Sequence, residues 1–150
     1  MGLVLKSSAF DDGAEIPRKH GYKNGNSSPP LEIEGVPEAC RSLALIMDDP
    51  DAQAAVGKTW VHWLVWHMPS DMHSIPESLV SGGCTEGRND FGEAAYGGPA
   101  PPDKRHTYFF RLYALDFDLS LSAGCDRKDL EDAMKGHILE ETVLTGTYAP

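Results

Sequence analysis

The sequence predicts a mainly β, β-rich α+β fold in one domain that spans residues 1–150. Three short apolar runs, rich in β-branched and aromatic residues, have the length and composition of strands: Ser42–Met47, Trp60–Met68 and His106–Leu115. Glycine and proline are concentrated between these runs, where they favour turns. The clearest helical pattern lies near the C-terminus, and strands followed by a late helix are typical of α+β proteins.

The N-terminal and central segments carry weaker patterns. Residues 3–10 alternate weakly and predict a first strand, whereas residues 11–30, rich in Asp, Asn, Gly and Pro, predict an irregular loop. Leu31–Ile33 predicts a short strand before the next turn. The stretch from Pro69 to Pro102 has no strong periodicity, so we predict a functional or packed surface loop there.

The first two apolar runs are predicted to form a hairpin. Asp48–Asp49–Pro50 stops the first run, because proline cannot donate a hydrogen bond inside a sheet, and residues 50–58 form the loop. In Trp60–Met68 and His106–Leu115 the apolar residues occupy both alternating faces, which predicts central strands covered on both sides. The two-residue period of a strand places His67 on one face. The other face is predicted to carry Trp60, His62, Leu64 and Trp66.

The helix near the C-terminus is predicted from its cap and its apolar face. Asp126 can cap the first turn, where Asp129 interacts favourably with the helix dipole. The face that repeats at helical spacing contains Leu130, Ala133, Met134 and His137. Gly136 weakens the centre of this pattern, so the run to Glu141 is predicted to form two short helices. Gly146–Tyr148 predicts a final extended segment.

Composition and charge exclude several classes of function. The formal net charge of −10 argues against a nucleic-acid partner and an anionic membrane surface, since both need clustered Lys and Arg. No apolar run reaches the roughly 18 residues of a membrane span. The three cysteines, Cys40, Cys84 and Cys125, show no metal-ligand spacing, so we predict reduced thiols, no metal site and no cofactor. The N-terminus has no signal-peptide pattern, which favours a cytoplasmic location.

Asp49 and Asp51 are candidate site residues at the end of the first apolar run. The residue before a proline is held extended, which fixes the direction of Asp49. His62 lies on the paired strand near the Asp49 end of the hairpin, where a carboxylate would orient its ring and favour its charged form. Two alternatives stay open at this point. The acidic residues can form a plain polar turn, and His62 can be a core histidine bonded to a carbonyl.

A second candidate segment is the loop Gly97–Pro102 with the strand that follows it. Glycine lets the backbone approach a ligand closely and proline stiffens the path, although the same composition also suits a rigid connector. The loop delivers His106 and Tyr108, which share one face of the third strand and can both donate hydrogen bonds. These donors, together with exposed backbone N–H groups, suit a phosphate or carboxylate group.

These segments occur in the order and spacing of a known family. In chain order they read FDDGAEIP, SPPLEIEGVP, SLALIMDDPDA, WVHWLVWHMP, EGRNDFGEAAYGGPAPP, HTYFFRLYALD and AMKGHILEETVLTGTY. The sequence resembles the phosphatidylethanolamine-binding proteins, also called Raf kinase inhibitor-like proteins, in their bacterial and archaeal branch. The resemblance covers nearly the whole chain. It implies a large antiparallel sheet, a smaller sheet and peripheral C-terminal helices.

The resemblance also implies a small pocket that binds phosphate-like anions. The residues of this chain that match the lining of that pocket are Asp49, Asp51, Trp60, His62, Gly98, His106 and Tyr108. The prokaryotic branch implies a homodimer, and members elsewhere regulate protein kinases or inhibit serine proteases. Thr107 stands where the family often has arginine, and Gln53 stands where proline is usual. We expect both departures to weaken anion binding, because one removes a cation and the other loosens the loop after Asp51.

The sequence therefore predicts a non-catalytic small-anion-binding protein that acts as a regulatory or inhibitory module. In this hypothesis His62 and His106 hold a phosphate or phospho-head group, Asp49 and Asp51 orient the imidazoles, and binding strengthens as the pH falls through the histidine range. One alternative is a serine protease inhibitor that inserts an exposed loop such as Ser81–Ala95. Another is a hydrolase that uses the Asp/His pocket with water as the nucleophile. No serine or cysteine lies in a nucleophile motif, so no catalytic residue is predicted.

Overall fold

The computed structural model describes residues 2–78 and 83–150. Its strands are β1 (Val4–Lys6), β2 (Leu31–Glu34), β3 (Ser42–Asp49), β4 (Trp60–Pro69), β5 (Ser74–Ile75), β6 (Thr85–Glu86), β7 (His106–Leu115) and β8 (Ile138–Tyr148). Its α-helices are α1 (Ala52–Val56) and α2 (Arg127–Met134), and a 3-10 helix spans Arg18–His20. The predicted mainly β fold with a larger and a smaller antiparallel sheet is confirmed.

β3 lies at the centre of the five-stranded sheet, which has the order β6-β4-β3-β7-β8. All eight residues of β3 are buried, because both faces of the sheet are covered at this strand. One face packs on the three-stranded sheet β1-β2-β5 through a core that includes Leu45, Phe110 and Ile33. The opposite face packs on α2 through a second core that includes Ile46 and Leu130. Consecutive side chains of β3 therefore enter different cores.

This alternation continues to the end of β3 and separates its two aspartates. Asp48 lies on the α2 side, where the Arg111 guanidinium donates to its carboxylate at 3.0 and 3.1 Å and Arg127 Nη1 donates at 2.7 Å. Asp49 lies on the other side, where it contacts His106. The strand is thus two residues longer than predicted, and Asp48 ties β7 and α2 to β3.

Two irregularities in β4 make the predicted alternation wrong. As β3 advances by one residue, its partner in β4 changes from Trp63 to Val61, so His62 is an extra residue in the ladder. A second register shift includes His67, whose φ is +59°. His62 packs edge-on against Tyr108, with ring centroids 5.2 Å apart. The side chains of β4 that pack under α2 are instead Val61, Leu64 and Trp66.

The C-terminal segment corrects the prediction of two short helices. α2 begins after Asp126, whose side chain accepts a hydrogen bond from the Asp129 N–H. Gly136 has φ +84° and turns the chain, so that Ile138–Tyr148 runs along the free edge of β7 as β8. Only the first of the two predicted helices forms. Ile138–Glu141 belong to a strand, because pairing with a full neighbouring strand outweighs the local helical pattern.

The weaker patterns are confirmed in part. The first strand is β1, which is shorter than residues 3–10, and residues 11–30 are irregular apart from the 3-10 helix. The hairpin loop between β3 and β4 contains α1, and the segment from Pro69 to Pro102 contains β5 and β6. Across the described part of the chain, no helix is long and apolar enough to cross a membrane.

Candidate functional site

A cavity of about 130 Å³ opens at the end of the large sheet where β3 ends and where β4 and β7 begin. The antiparallel pairing of β3 with both neighbours brings these three strand ends together. The residues that line the cavity are Asp49, Ala52, Ala55, Val56, Trp60, His62, Phe91, Ala100, Pro101, Pro102, His106 and Tyr108. Five of the seven predicted site residues are in this set. Most of the other lining residues are small or apolar, so a few polar groups meet apolar walls.

His106 is held between two carboxylates. Its Nδ1 lies 2.6 Å from Asp49 Oδ2, and its Nε2 lies 2.7 Å from Asp103 Oδ1. Burial lowers the pKa of His106, but the hydrogen bonds and negative charges of Asp49 and Asp103 outweigh burial, so the pKa is raised overall. Because both ring nitrogens face acceptors, the ring is an imidazolium that donates to each carboxylate. One positive and two negative charges leave this cluster with a net negative charge.

The two carboxylates on His106 differ in their surroundings. Asp49 is 2 % exposed, and burial raises its pKa although the His106 hydrogen bond and charge lower it. Asp103 has a side chain that is 40 % exposed, and the hydrogen bond from His106 lowers its pKa. Sequence reasoning missed Asp103. The available signal was its position three residues before His106 in PPDKRH.

His62 is oriented by a carbonyl, which makes the predicted pairing of His62 with Asp49 wrong. Its Nδ1 lies 2.7 Å from the Gly97 carbonyl oxygen, and Nδ1 carries the proton because a carbonyl can only accept. Burial lowers the pKa of His62 to about 4, although the backbone of Gly97 and Gly98 acts to raise it. The ring is therefore neutral near physiological pH and keeps a lone pair on Nε2. Its bonding is that of the core-histidine alternative, although the ring also lines the cavity.

Three polar atoms of the lining residues have no hydrogen-bond partner among the described residues. They are the Tyr108 hydroxyl, Trp60 Nε1 and Asp49 Oδ1, and all three are buried. Burial raises the pKa of Tyr108 and the charge of Asp49 raises it further, whereas the Ala100 backbone lowers it without meeting hydrogen-bond geometry. Buried polar atoms are paired in most folded proteins. Three unpaired atoms at one cavity therefore indicate a place where a polar group can be received.

Asp51 and Gly98 do not line the cavity but hydrogen-bond to backbone and side-chain groups beside it. Asp51 is exposed, and its Oδ2 accepts from the Thr107 N–H at 2.9 Å, which ties the start of α1 to β7. The Gly98 N–H donates to Asn26 Oδ1 at 2.7 Å, and a Cβ at Gly98 would lie 2.1 Å from the His20 carbonyl oxygen. The prediction that Asp51 orients a histidine is thus wrong, and Gly98 is needed for close packing of two backbone segments.

The two departures from the family pattern do not contact the cavity. Thr107 alternates with His106 and Tyr108 along β7 and is absent from the cavity lining, so a longer side chain here would leave from the other face. Gln53 Nε2 donates to the Gly57 carbonyl at 2.9 Å and closes the end of α1. The expected loosening of this loop is therefore opposed by a side-chain hydrogen bond.

The loop Ser81–Ala95, which sequence reasoning considered for insertion into a protease, packs beside the cavity where it is described. Its first two residues lie outside the described residues. In the remainder, Asn89 Oδ1 accepts from the Phe91 N–H at 2.9 Å, and Asn89 Nδ2 donates to the Ala95 carbonyl at 2.7 Å. Phe91 stacks on Tyr22 with ring centroids 4.0 Å apart and lines the cavity. Phe91 is a wall residue that sequence reasoning missed, because its loop has no periodic pattern.

Within residues 2–78 and 83–150, no group of three or more His, Cys, Asp or Glu side chains is placed to hold a metal ion. Cys40, Cys84 and Cys125 are free thiols. Burial raises the pKa of Cys40 and Cys84, which keeps both in the protonated form.

Comparison with known proteins identifies the family. The sequence profile described as phosphatidylethanolamine-binding protein matches residues 6–149. A UPF0098 protein of Methanothermobacter thermautotrophicus is 44% identical over 151 residues, which cover 97% of this chain and 98% of that protein. The phosphatidylethanolamine-binding protein homologue CT736 of Chlamydia trachomatis is 37% identical, with a TM-score of 0.92 over 98% of this chain and 97% of that one. E. coli YbcL, described as a member of the mammalian PEBP family, is 28% identical, with a TM-score of 0.90 over 99% and 98% of the two chains. The chain belongs to the phosphatidylethanolamine-binding protein family.

Proposed function

We propose that this protein is a non-catalytic binding protein for a small anion, namely phosphate or a phospho-head group. The observation that carries the proposal is the pair of unpartnered buried donors at the cavity, the Tyr108 hydroxyl and Trp60 Nε1. The His106 imidazolium lies beside them, with its ring centroid 6.3 Å from that of Tyr108. Hydrogen bonds from such donors to a charged oxygen are strong where water is excluded.

The size of the cavity supports a head group as the ligand. Pockets for drug-sized molecules have volumes of roughly 300–1,000 Å³, whereas this cavity has about 130 Å³. Ala52, Val56 and Pro102 form apolar walls around the polar groups. A phosphate-sized group suits this space, and acyl chains of a lipid would remain outside.

The protonation states of the cavity residues favour binding over catalysis. A general base needs a free lone pair and a pKa near the working pH. His106 has both nitrogens engaged, and His62 has a pKa of about 4. Burial raises the pKa of the Tyr108 hydroxyl, which makes it a poor nucleophile. We therefore infer binding without turnover in preference to the hydrolase alternative.

The proposal is tested by following the His62 and His106 ring signals by NMR during titration with phosphate and with O-phosphoethanolamine. We expect saturable shifts of both rings, and a loss of affinity in Trp60→Phe, which removes one donor and keeps an aromatic side chain. His137 is the internal control, because its Nδ1 lies 2.8 Å from Asp116 Oδ1 at the surface, away from the cavity. Absence of saturable shifts at millimolar phosphate down to about pH 5.5 would overturn the proposal.

The wider role that we propose is a cytoplasmic regulatory or inhibitory module that acts as a homodimer, with a protein kinase or a serine protease as its partner. Support for an interface comes from exposed apolar side chains on and beside the edge strand β8, namely Phe117, Ile138, Leu139 and Val143. Sedimentation of the wild type and of Leu139→Glu tests the dimer. We expect a dimeric wild type and a monomeric variant, and a wild type that sediments as a monomer would contradict this part of the proposal.

A further inference from the structure

We propose that the cavity selects oxyanions that carry a proton, such as protonated phosphate or a protonated phosphate monoester, and rejects oxyanions without one, such as sulfate. This inference rests on the proposed function and specifies its ligand class. It follows from the mixture of donors and acceptors that the chain presents at the cavity, and from the charge of the groups around Asp49.

The polar atoms left for a ligand include both donors and acceptors. Trp60 Nε1 can only donate, and the Tyr108 hydroxyl has one hydrogen to donate. Asp49 Oδ1 can only accept while its carboxylate is ionised. His62 Nε2 also accepts, because Nδ1 of the same ring donates to the Gly97 carbonyl. A ligand that satisfies this set must accept hydrogen bonds and must also donate at least one.

Asp49 is an ionised carboxylate when it contacts the ligand. Its Oδ2 is held by the His106 imidazolium at 2.6 Å, so the unpartnered Oδ1 belongs to the ionised member of an ion pair. A bare anionic oxygen against Oδ1 would place two acceptors face to face in a buried site, where unpaired polar groups are costly. The hydroxyl of a protonated oxyanion instead donates to Oδ1 and forms a charge-assisted hydrogen bond.

The charged groups that face Asp49 do not offset this repulsion. His106 on β7 contributes one positive charge, but Asp103 binds the other nitrogen of the same ring. Asp51, after β3, adds a negative charge that raises the pKa of Asp49, although the backbone of Asp51 lowers that pKa, and Tyr108 is neutral. No lysine or arginine is among the described residues that line the cavity. A fully ionised anion therefore gains little from the local charge, and the presence of a proton on the ligand decides its affinity.

Three ligands separate the effect of the proton from the effect of the charge. Inorganic phosphate keeps at least one proton between about pH 5.5 and pH 8, methyl phosphate loses its last proton near a second pKa of about 6, and sulfate carries none. At about pH 8 phosphate is largely a dianion that keeps a hydroxyl, whereas methyl phosphate is a dianion without one. The comparison of these two at one pH also holds the protonation state of the protein constant.

We expect calorimetry on the wild type to show phosphate binding at about pH 5.5 and at about pH 8. Methyl phosphate should bind at about pH 5.5 and lose roughly tenfold or more in affinity at about pH 8. Sulfate should bind roughly 10- to 100-fold more weakly than phosphate throughout, which is the effect of one hydrogen bond to a charged group.

The matched variants are Asp49→Asn and Asp116→Asn. An amide at position 49 keeps an acceptor for His106 Nδ1 and replaces the unpartnered oxygen with a donor, so sulfate affinity should rise about tenfold. Asp116 pairs with His137 outside the cavity, and Asp116→Asn should leave both affinities unchanged. Circular dichroism confirms that the variants are folded, and the wild-type ligand series tests the selectivity independently of them.

The outcomes distinguish this inference from the proposed function. If phosphate binds and sulfate binds equally well, the selectivity is refuted and the anion site stands. If methyl phosphate binds equally at both pH values, the requirement for a proton on the ligand is refuted, and the anion site again stands. If no phosphate binding is detected at millimolar concentration, the proposed function fails and this inference fails with it.

Discussion

The clearest test of the cavity is removal of the Tyr108 hydroxyl in Tyr108→Phe. The side chain is 0 % exposed, and its hydroxyl has no hydrogen-bond partner among the described residues. Burying a hydroxyl without a hydrogen bond costs roughly 1–3 kcal/mol. The substitution removes this cost and breaks no hydrogen bond between described residues, so the free energy of unfolding should rise.

The expected magnitude lies at the lower end of this range, because the nearby Ala100 backbone partly compensates the hydroxyl. A gain of about 1 kcal/mol corresponds to an increase in Tm of roughly 2–4 °C for a domain of this size. Phosphate binding should change in the opposite direction. Loss of one hydrogen bond to a charged group costs about 1.5–3 kcal/mol, which lowers the affinity roughly 10- to 100-fold.

Urea unfolding and calorimetry with phosphate measure the two effects, and Tyr96→Phe is the matched control. The Tyr96 hydroxyl is buried and donates to the His20 carbonyl at 2.8 Å. Its loss leaves that carbonyl without this donor, so Tyr96→Phe should lose about 1–3 kcal/mol of stability. Phosphate affinity should stay unchanged in this control, because Tyr96 does not line the cavity.

Two results would refute the reasoning. If Tyr108→Phe is destabilised as much as Tyr96→Phe, the Tyr108 hydroxyl has a structural partner and is not held free for a ligand. If Tyr108→Phe is more stable but binds phosphate as tightly as the wild type, the hydroxyl is not part of the binding site.

Three further predictions concern neighbouring groups. The His62 ring should titrate with a pKa of about 4 by NMR. Because this pKa lies below the unfolded value of about 6.5, the contribution of neutral His62 to stability is complete above about pH 6.5 and is lost as the pH falls towards 4. A ring that titrates near 6.5 would contradict the burial argument. Asp103→Asn should lower the pKa of His106, because one of the carboxylates that raise it loses its charge, and should tighten phosphate binding as the cluster becomes neutral. An unchanged His106 titration curve would show that Asp103 does not hold the ring. Gly98→Ala should lower Tm more than Gly2→Ala, because a Cβ at Gly98 would lie 2.1 Å from a carbonyl oxygen, whereas a Cβ at Gly2 would meet only Glu140 Oε1, at an ordinary contact distance of 3.6 Å. Equal melting temperatures would mean that the loop shifts without cost.

The long strands could be predicted because their signals are local. β7 has the predicted bounds, His106–Leu115, since an apolar aromatic run follows a proline-rich loop and ends at a charged turn. α2 begins after the predicted cap, Asp126. The prediction failed for Ile138–Glu141, which form part of β8, because the partner that makes them a strand, Tyr113–Leu115, lies about 25 residues earlier in the chain.

The site could be predicted as a set of residue types at strand ends. A hairpin between β3 and β4 necessarily brings Asp49 and Trp60 to the same end of the sheet, and the structure pairs these two residues. Asp103 and Phe91 were missed because each enters the site from an irregular loop, whose path depends on packing and not on a periodic pattern.

The sequence by itself determined the mainly β fold, the family resemblance and the strand ends at which Asp49, His62, His106 and Tyr108 meet. Only the tertiary structure decided which histidine is charged. His106 lies between two carboxylates and is an imidazolium, whereas His62 faces the Gly97 carbonyl and is neutral. The pKa of a side chain depends on its burial and on partners within a few ångströms. Here a bulge in β4 and the fold of two irregular loops place those partners, and neither is encoded in the local pattern around the histidines.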